Sequence, residues 1–597
     1  MRKRFQSCAV AVSLLGLLSG CGKNSSETAA PKPAGGYPLP EPPYVSKCEP
    51  GVPGGRLVIA SFSDPKTFNP VTQNESSSQD ILRLVFSGLT SLDVPTQGIL
   101  PGLAETWSVE ADQKTWTFKL RRGVRWSDGH PFTADDVVFT FNDVIYNTNI
   151  NNVMVDEFRI DGRDFMVTKV DDLTVRVVTP EIYAPFLLFF GGAAILPKHV
   201  LATAVAEKRF EAAYGINTPP SQLVGTGPYK LKQYKPGELT LMERNPYYWV
   251  VDAKGQRLPY IENVIFTVVP NQDAMSLRFL KGEADTQDFV RPAEYDTFKK
   301  ESEKGRFKLL DLGLASERDV LTFNQNPGLH PKTGKPLVDP VKLKWFRNVK
   351  FRQAISFAID RPSIVKASLA GRGEPNYSFE SVQNKRWYNP NIMTYPHDPA
   401  KARALLKEIG IEDRNGDGFL EDAEGHVIEF VMNTNSGNDR RNQTAIVIQE
   451  DLKRLGVKLI YQQLDFNTLV QRLNADHDFE CILLGWAGGT PDPTFSMNVL
   501  KSSGFSHEWY PRQKTPSTEW EARIDFLMNA QVKTLDQAQR KKYFDEVQAI
   551  LAEQVPMIYT TSMRAFSAAR SDLGNVRGTT LDNNRVTWNL DELFFKK

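Results

Sequence analysis

RRGVRWSDGHPFTADDVVFTF, residues 121–141, is the passage from which the fold is read. It continues WTFKLRR (116–122), where apolar and polar side chains alternate as on a half-buried strand. Gly123 and Gly129 permit tight turns, and Asp128-Gly129 is a hairpin dipeptide. Thr133, with Asp136 three residues on, forms a capping box. Val137, Val138, Phe141, Val144 and Ile145 then fall on one helical stripe. Asp135 and Asp136 occupy the first turn, where negative charge complements the helix dipole. The passage therefore reads as scaffold and not as chemistry.

The same mixture extends in both directions. RLVIASF (56–62) and VIFTVVP (264–270) are apolar strands, and LTVRVVT (173–179) alternates. Asp398-Pro399 opens a helix with Ala402, Leu405, Leu406 and Ile409 at helical spacing, ending at Gly410. Another runs through Ala445, Ile448, Leu452 and Leu455 to Gly456, and the strand VKLIYQQ follows at once. Helices alternating with strands argue for α/β lobes. A chain of 597 residues exceeds one hydrophobic core and suggests three or four domain-sized units. With 72 basic and 71 acidic residues there is no broad electrostatic pull toward nucleic acid.

The amino terminus reads as an address. Arg2, Lys3 and Arg4 precede an apolar stretch from Cys8 to Leu18, too short to span a bilayer and of signal-peptide dimensions. It ends in Leu18-Ser19-Gly20-Cys21, which looks like a bacterial lipobox with Cys21 as the lipidated residue. Residues 22–54 are polar and Pro-rich, and predict an extended tether. Of four cysteines, Cys48 and Cys481 stay in the mature chain. Cys48 lies in the tether and Cys481 in the apolar run FECILLGW, which predicts a buried free thiol at Cys481.

Several segments resemble, in order, those of the bacterial family 5 extracellular solute-binding proteins. They are FNP (68–70), PGLAETW (101–107), the 121–141 passage, GTGPYKL (225–231), ERNPYYW (243–249), FRQAISFAIDR (351–361), DPAKARALLKEIGI (398–411) and LLGWAGGTPDP (483–493). The resemblance implies an α/β, periplasmic-binding-protein type II (cluster C), two-lobed hinge architecture with an extra inserted domain. Residues 1–20 would be the signal and 21–54 the lipidated tether. Lobe 1 would take 55–87, 224–320 and 551–597, the inserted domain 88–223, and lobe 2 321–550. The implied role is the extracytoplasmic, lipid-anchored component of an ABC importer, a monomer that meets the permease subunits. It would close on an oligopeptide or dipeptide, with an oligosaccharide, a nickel complex or haem as alternative cargo. A non-transport receptor or chaperone is the remaining alternative.

Site residues follow from the same resemblance. Trp486, Gly488, Gly489 and Asp492 lie in a segment similar to the family's ligand loop. In peptide binders an Asp three positions after the Trp pairs with the ligand ammonium. Here that position is Gly489, and Asp492 is the nearest carboxylate. Arg441 resembles an Arg that meets a ligand carboxylate, and Asn324 is expected to line the cleft.

Asp413, Asn415, Asp417, Phe419 and Glu424 fit a calcium loop, with Gly418 at its sharp turn. A strand (HVIEFVM, 426–432) follows instead of a helix, so the expectation is a structural ion and not a sensor; no other cofactor is required. The seven histidines make no zinc pattern, and no nucleophile elbow, phosphate loop or dinucleotide fingerprint occurs. An enzyme is therefore not expected.

Overall fold

The computed structural model describes residues 37–597 except 62–63, 74, 151, 153–154, 161 and 487–490. The expected signal peptide and Cys21 lie outside the described residues. Among the described residues no helix is long and apolar enough to cross a membrane.

Three sheets organise the molecule. Their elements begin with β1 (Arg56–Ser61) and the helix α1 (Ser76–Val85), followed by β2 (Ala104–Val109), β3 (Thr115–Leu120), β4 (Met166–Asp171) and β5 (Thr174–Val178). Next come β6 (Tyr229–Lys235), β7 (Leu239–Arg244), β8 (Asn263–Val268), β9 (Thr286–Val290) and β10 (Phe307–Leu314). After these lie β11 (Arg318–Phe323), β12 (Glu429–Asn435), α2 (Asp439–Leu455), β13 (Lys458–Leu464), β14 (Cys481–Trp486), β15 (Met557–Tyr559) and β16 (Thr561–Arg570).

The first lobe holds the strand order β6-β7-β8-β1-β9-β16-β10, with Gly373–Pro375 added against β16. The second holds β13-β12-β14-β11-β15. The order β2-β3-β5-β4, antiparallel throughout, belongs to the stretch expected as the inserted domain. Three strands depart from the expected boundaries, one of them Gly373–Pro375, expected in lobe 2 but paired with β16 of the lobe 1 sheet. β11 begins at Arg318, before 321. β15, expected with lobe 1, pairs with β11 in the lobe 2 sheet at Leu321↔Ile558.

The 121–141 passage is built as its sequence predicts. Thr133 and Asp136 cap one another reciprocally, and the Trp126 indole also donates to Asp136. After Val138 the helix widens into a π-helical stretch, Phe139–Ile145. There the Thr140 hydroxyl donates to the Asp136 carbonyl at 2.7 Å, a side-chain competitor for the helical ladder. Phe141 stacks on Phe190 with centroids 3.9 Å apart, a contact contributing about 1 kcal/mol beyond simple burial. GTGPYKL is also explained sterically. The Gly227 amide donates to the Val85 carbonyl at the end of α1, and a Cβ on Gly225 would collide with that same oxygen.

The tether expectation is corrected from Leu39 onward, where the chain belongs to the folded body. Tyr44–Val45 pairs in parallel with Val250–Val251, and Tyr44 meets Trp249 edge-on at 6.0 Å. The Arg121 guanidinium donates to the Pro42 carbonyl. A Pro-rich strip lacks the donors of a full ladder, but its aromatic and carbonyl groups still dock on a ready surface. Cys48 is therefore buried, as is Cys481, and both are free thiols.

Among the described residues, chain crossings between the lobes lie at 315–317 between β10 and β11 and at Thr560 between β15 and β16. They run side by side. The Thr560 amide and hydroxyl both donate to the Asp319 carbonyl at 3.1 Å, and the Ala315 amide donates to Met563 at 2.7 Å.

Candidate ligand-binding cleft

A cavity of about 620 Å³ opens where these crossings meet, walled by α1, β1 and β9 of lobe 1 and by β11, β14 and α2 of lobe 2. A larger hollow of about 890 Å³, between residues 66–75 and 200–222, is lined by lobe 1 and the inserted stretch alone. The smaller cavity is the candidate site, because Asp288 and Arg585 of lobe 1, Glu317 of the first crossing, and Asp319 and Arg441 of lobe 2 all line it.

Asp319 organises the lobe 2 wall. It lies at a buried position of β11, 1% exposed, directly across from Gly485 of β14. Its carboxylate receives Arg441 Nε at 3.1 Å and an Arg440 guanidinium nitrogen. Arg441 Nη1 continues to Asn435 at 2.7 Å. Both arginines sit in the first turn of α2, whose N-cap Asn438 accepts from the Arg441 amide. Gly485 is required here: a Cβ would fall 2.8 Å from Asp319 Oδ1 and into the Arg441 guanidinium. Arg318 stacks over Phe379 at 4.7 Å.

Trp486 ends β14, half-buried and lining the cleft, while its other contacts reach the aromatic cluster around Trp387 and Trp509. Behind it lies Glu508. Burial pushes this carboxyl up to about 7, although Thr322 donates to it at 3.0 Å and the Trp486 indole also favours its charge.

The lobe 1 wall carries Asp80 and Arg83 on α1, Asp288 on β9, and Asp582 and Arg585 from the carboxyl-terminal segment. Asp288 accepts the Val586 amide at 2.6 Å and the Thr587 hydroxyl at 2.7 Å. Burial nonetheless holds the Asp288 and Asp80 carboxyls above their ordinary range. Arg585 pairs with Glu317 at 2.7 Å and lies over the Phe289 ring. The two walls have opposite character. Lobe 1 with the crossing presents Asp80, Asp288, Glu317 and Asp582 against Arg83 and Arg585. Lobe 2 presents Arg318, Arg440 and Arg441 against Asp319.

Of the residues expected from sequence, Arg441 and Trp486 line the cleft. Gly488 and Gly489 lie outside the described residues. Asp492 is placed elsewhere. It is buried, accepts Arg540 Nη2 at 2.8 Å and the Thr494 amide at 3.0 Å, and caps the turn Pro493–Ser496. Arg540 in turn covers Trp387. A carboxylate so engaged stands among the groups that pack Trp387 and does not line the cleft. Asn324 is likewise structural. It follows the far end of β11 from Asp319, and its amide donates to the carbonyls of His477 and Phe479 at 2.9 Å. Asp319, Arg440, Arg83, Asp288 and Arg585 were not legible beforehand. The one available signal was a lone acid at the head of the apolar strand Arg-Asp-Val-Leu-Thr-Phe.

The 413–424 loop is also rearranged relative to expectation. Asp413, Asp417 and Glu421 bring one carboxylate oxygen each within 4.8 Å of the others. Glu424 turns away to Lys344 at 3.0 Å. The reason is the exit from the loop. Glu421 pairs with both Glu412 and Val427 as β-bridges, so a hairpin and not a helix carries the twelfth position. Asn415 donates through its amide nitrogen to Glu421 and Asp417, and the Phe419 amide donates to Asp417.

Comparison with known proteins agrees with this architecture. The model of bacterial extracellular solute-binding proteins, family 5, matches residues 98–507. The chain belongs to that family. It is 29% identical over 566 residues to a probable ABC transporter-binding protein of Deinococcus radiodurans, covering 90% of this chain and 93% of the relative. It is 28% identical over 553 residues to the oligopeptide-binding protein AppA of Bacillus subtilis, covering 91% and 90%. The solved structure of the oligopeptide-binding protein AppA of Bacillus subtilis in complex with a nonapeptide superposes with a TM-score of 0.72 at 26% identity, covering 92% of this chain and all of the other.

Asp319→Ala should lower stability by roughly 2–3 kcal/mol. Removing one partner of a buried pair costs about 3–5 kcal/mol, and here both arginines retain some solvent. Guanidinium denaturation of the variant beside the native chain measures it, and an unchanged midpoint would deny Asp319 its organising role.

Proposed function

We propose that this family 5 protein is the extracytoplasmic binding component of an ABC importer and that it captures peptides by closing its two lobes. The supporting observation is the cleft at the paired crossings, with an acid-rich wall on lobe 1 facing an arginine-rich wall on lobe 2. A peptide is a zwitterion with a polar main chain, and such a cleft offers opposite charge to its two ends and strand-edge groups to its backbone. Closure would remove water and strengthen each of these contacts. The oligopeptide name of the AppA relative supports the same cargo class. No step of this role calls for bond making or breaking, so the protein is read as a binder and not an enzyme.

Native mass spectrometry of the mature chain mixed with a random peptide digest should show retained peptides. X-ray scattering should show a smaller radius of gyration in their presence. Retention of a sugar or haem instead, or a scattering profile unchanged by every bound peptide, overturns the peptide reading.

The role also calls for a station outside the cytoplasmic membrane. We read Cys21 as its lipid anchor, supported by Leu18-Ser19-Gly20-Cys21 at the close of an apolar run. Metabolic labelling with palmitate should mark the native chain and leave Cys21→Ser unlabelled. Equal labelling of the two would move the anchor elsewhere.

A structural calcium ion at the 413–424 loop is proposed through Asp413, Asp417 and Glu421, in place of the set ending at Glu424. Hard carboxylate oxygens on a tight loop suit that ion. Calcium should raise the melting temperature of the native chain, as any ligand of the folded state does, and should leave that of Glu421→Gln unmoved. A melting temperature indifferent to calcium and to chelator alike would remove the ion.

A further inference from the structure

The inserted stretch, 88–223, is held by the two lobes in unequal ways. With lobe 1 it shares a continuous core, in which Phe139, Leu196 and Leu201 pack with Leu57, Ile59 and Val264. With lobe 2 its contact is thin. Among the described residues of 321–550, Val532 alone is buried in the core built around Trp116, Phe118 and Phe186, and Met497 packs against the edge. Val532 ends the helix Glu519–Val532, whose Ile524, Leu527 and Met528 pack with Val320 and Tyr559 of the lobe 2 sheet.

Three further contacts join the same two parts. The Ala184 amide donates to the Val532 carbonyl at 2.7 Å. The last carbonyls of a helix have no partner within it, so an amide of the inserted stretch caps a lobe 2 helix. Phe189 meets Phe495 with ring centroids 4.4 Å apart. Arg386 Nη1 donates to the Gln97 carbonyl at 3.2 Å, in the turn between Thr90–Asp93 and Gly98–Pro101, while its Nη2 donates to Gln537 at 2.7 Å. Each contact can be exchanged for water. Ala184 and Val532 contribute main-chain groups that water satisfies, Arg386 is exposed, and Phe495 is already 41% exposed. The inserted stretch is not joined in sequence to 321–550. A rotation of lobe 2 about the crossings therefore parts these contacts without straining the chain.

We propose that the inserted stretch is a clasp: it moves with lobe 1 and, by gripping Val532, Phe495 and Arg386, holds lobe 2 in the closed position. The shared core makes it one body with lobe 1, and the thin contact with lobe 2 makes the grip releasable. The clasp acts on the empty chain as well as the loaded one, so a closed form is populated before any solute arrives. A captured solute then stays enclosed for as long as the clasp holds. The inference goes beyond the cargo class and needs only that the lobes close.

Hydrogen exchange and X-ray scattering test this on the native chain and on Phe495→Ala and Arg386→Ala, with no ligand added. Both side chains are exposed, so the variants should fold, and circular dichroism checks that they do. The fragment carrying Ala184 should exchange about fivefold faster in Phe495→Ala, the factor that one aromatic pair contributes to an equilibrium, while exchange in β3 stays as in the native chain. The radius of gyration of both variants should exceed that of the native chain. Val532→Asp, which sets a charge in an apolar core, should widen the molecule further; should it fail to fold, the other two variants decide the matter. Either measure unchanged in both Phe495→Ala and Arg386→Ala would overturn the clasp. Faster exchange at an unchanged radius, for instance, would leave a local seam with no part in closure. Because no peptide enters the experiment, its failure and that of the peptide reading are separate results.

Discussion

One buried carboxylate ties the hinge to the cleft. The carbonyl of Asp319, on β11 just past the first crossing, receives both donors of Thr560 from the second, so the two crossings are bonded laterally to one another. Its side chain holds Arg440 and Arg441 across Gly485. Rotation of lobe 2 about the crossings must therefore carry the arginine wall with it. An isolated carboxylate at that depth would be costly, and two guanidiniums offset the cost only because their geometry is held by the α2 cap and by Asn435.

The cleft's electrostatics follow from which elements the hinge brings together. α1, β9 and the carboxyl-terminal segment are far apart in sequence, and together they supply a wall rich in carboxylates, of which Asp80 and Asp288 have their charge disfavoured by burial. The opposing wall is cationic. Counted together the two walls balance, five acids against five arginines, which is consistent with a ligand bearing both signs.

The scaffold was largely legible from sequence. The Thr133–Asp136 capping box, the helix opened by Asp398-Pro399 and the helix closed by Gly456 form where their caps place them. Each depends on contacts within a few residues, and such contacts are encoded locally. The site was much less so. Arg441 and Trp486 reach the cleft, but Asp492 and Asn324 do not, since spacing along the chain cannot tell a carboxylate facing a cavity from one turned toward a buried arginine. The calcium-type loop makes the same point: the spacing from Asp413 to Glu424 matches, yet the hairpin that follows presents Glu421. Tyr44 shows that composition can mislead as well, because a Pro-rich strip still docks where an aromatic surface is waiting.

By itself, then, the sequence determined the family, the order of helices and strands, and the turns and caps that separate them, because short-range sterics and hydrogen bonds act between neighbours. Only the tertiary structure decided which charges meet in the cleft and which acids are already engaged. Those outcomes depend on distances between residues hundreds of positions apart, and only the packing of the sheets sets them.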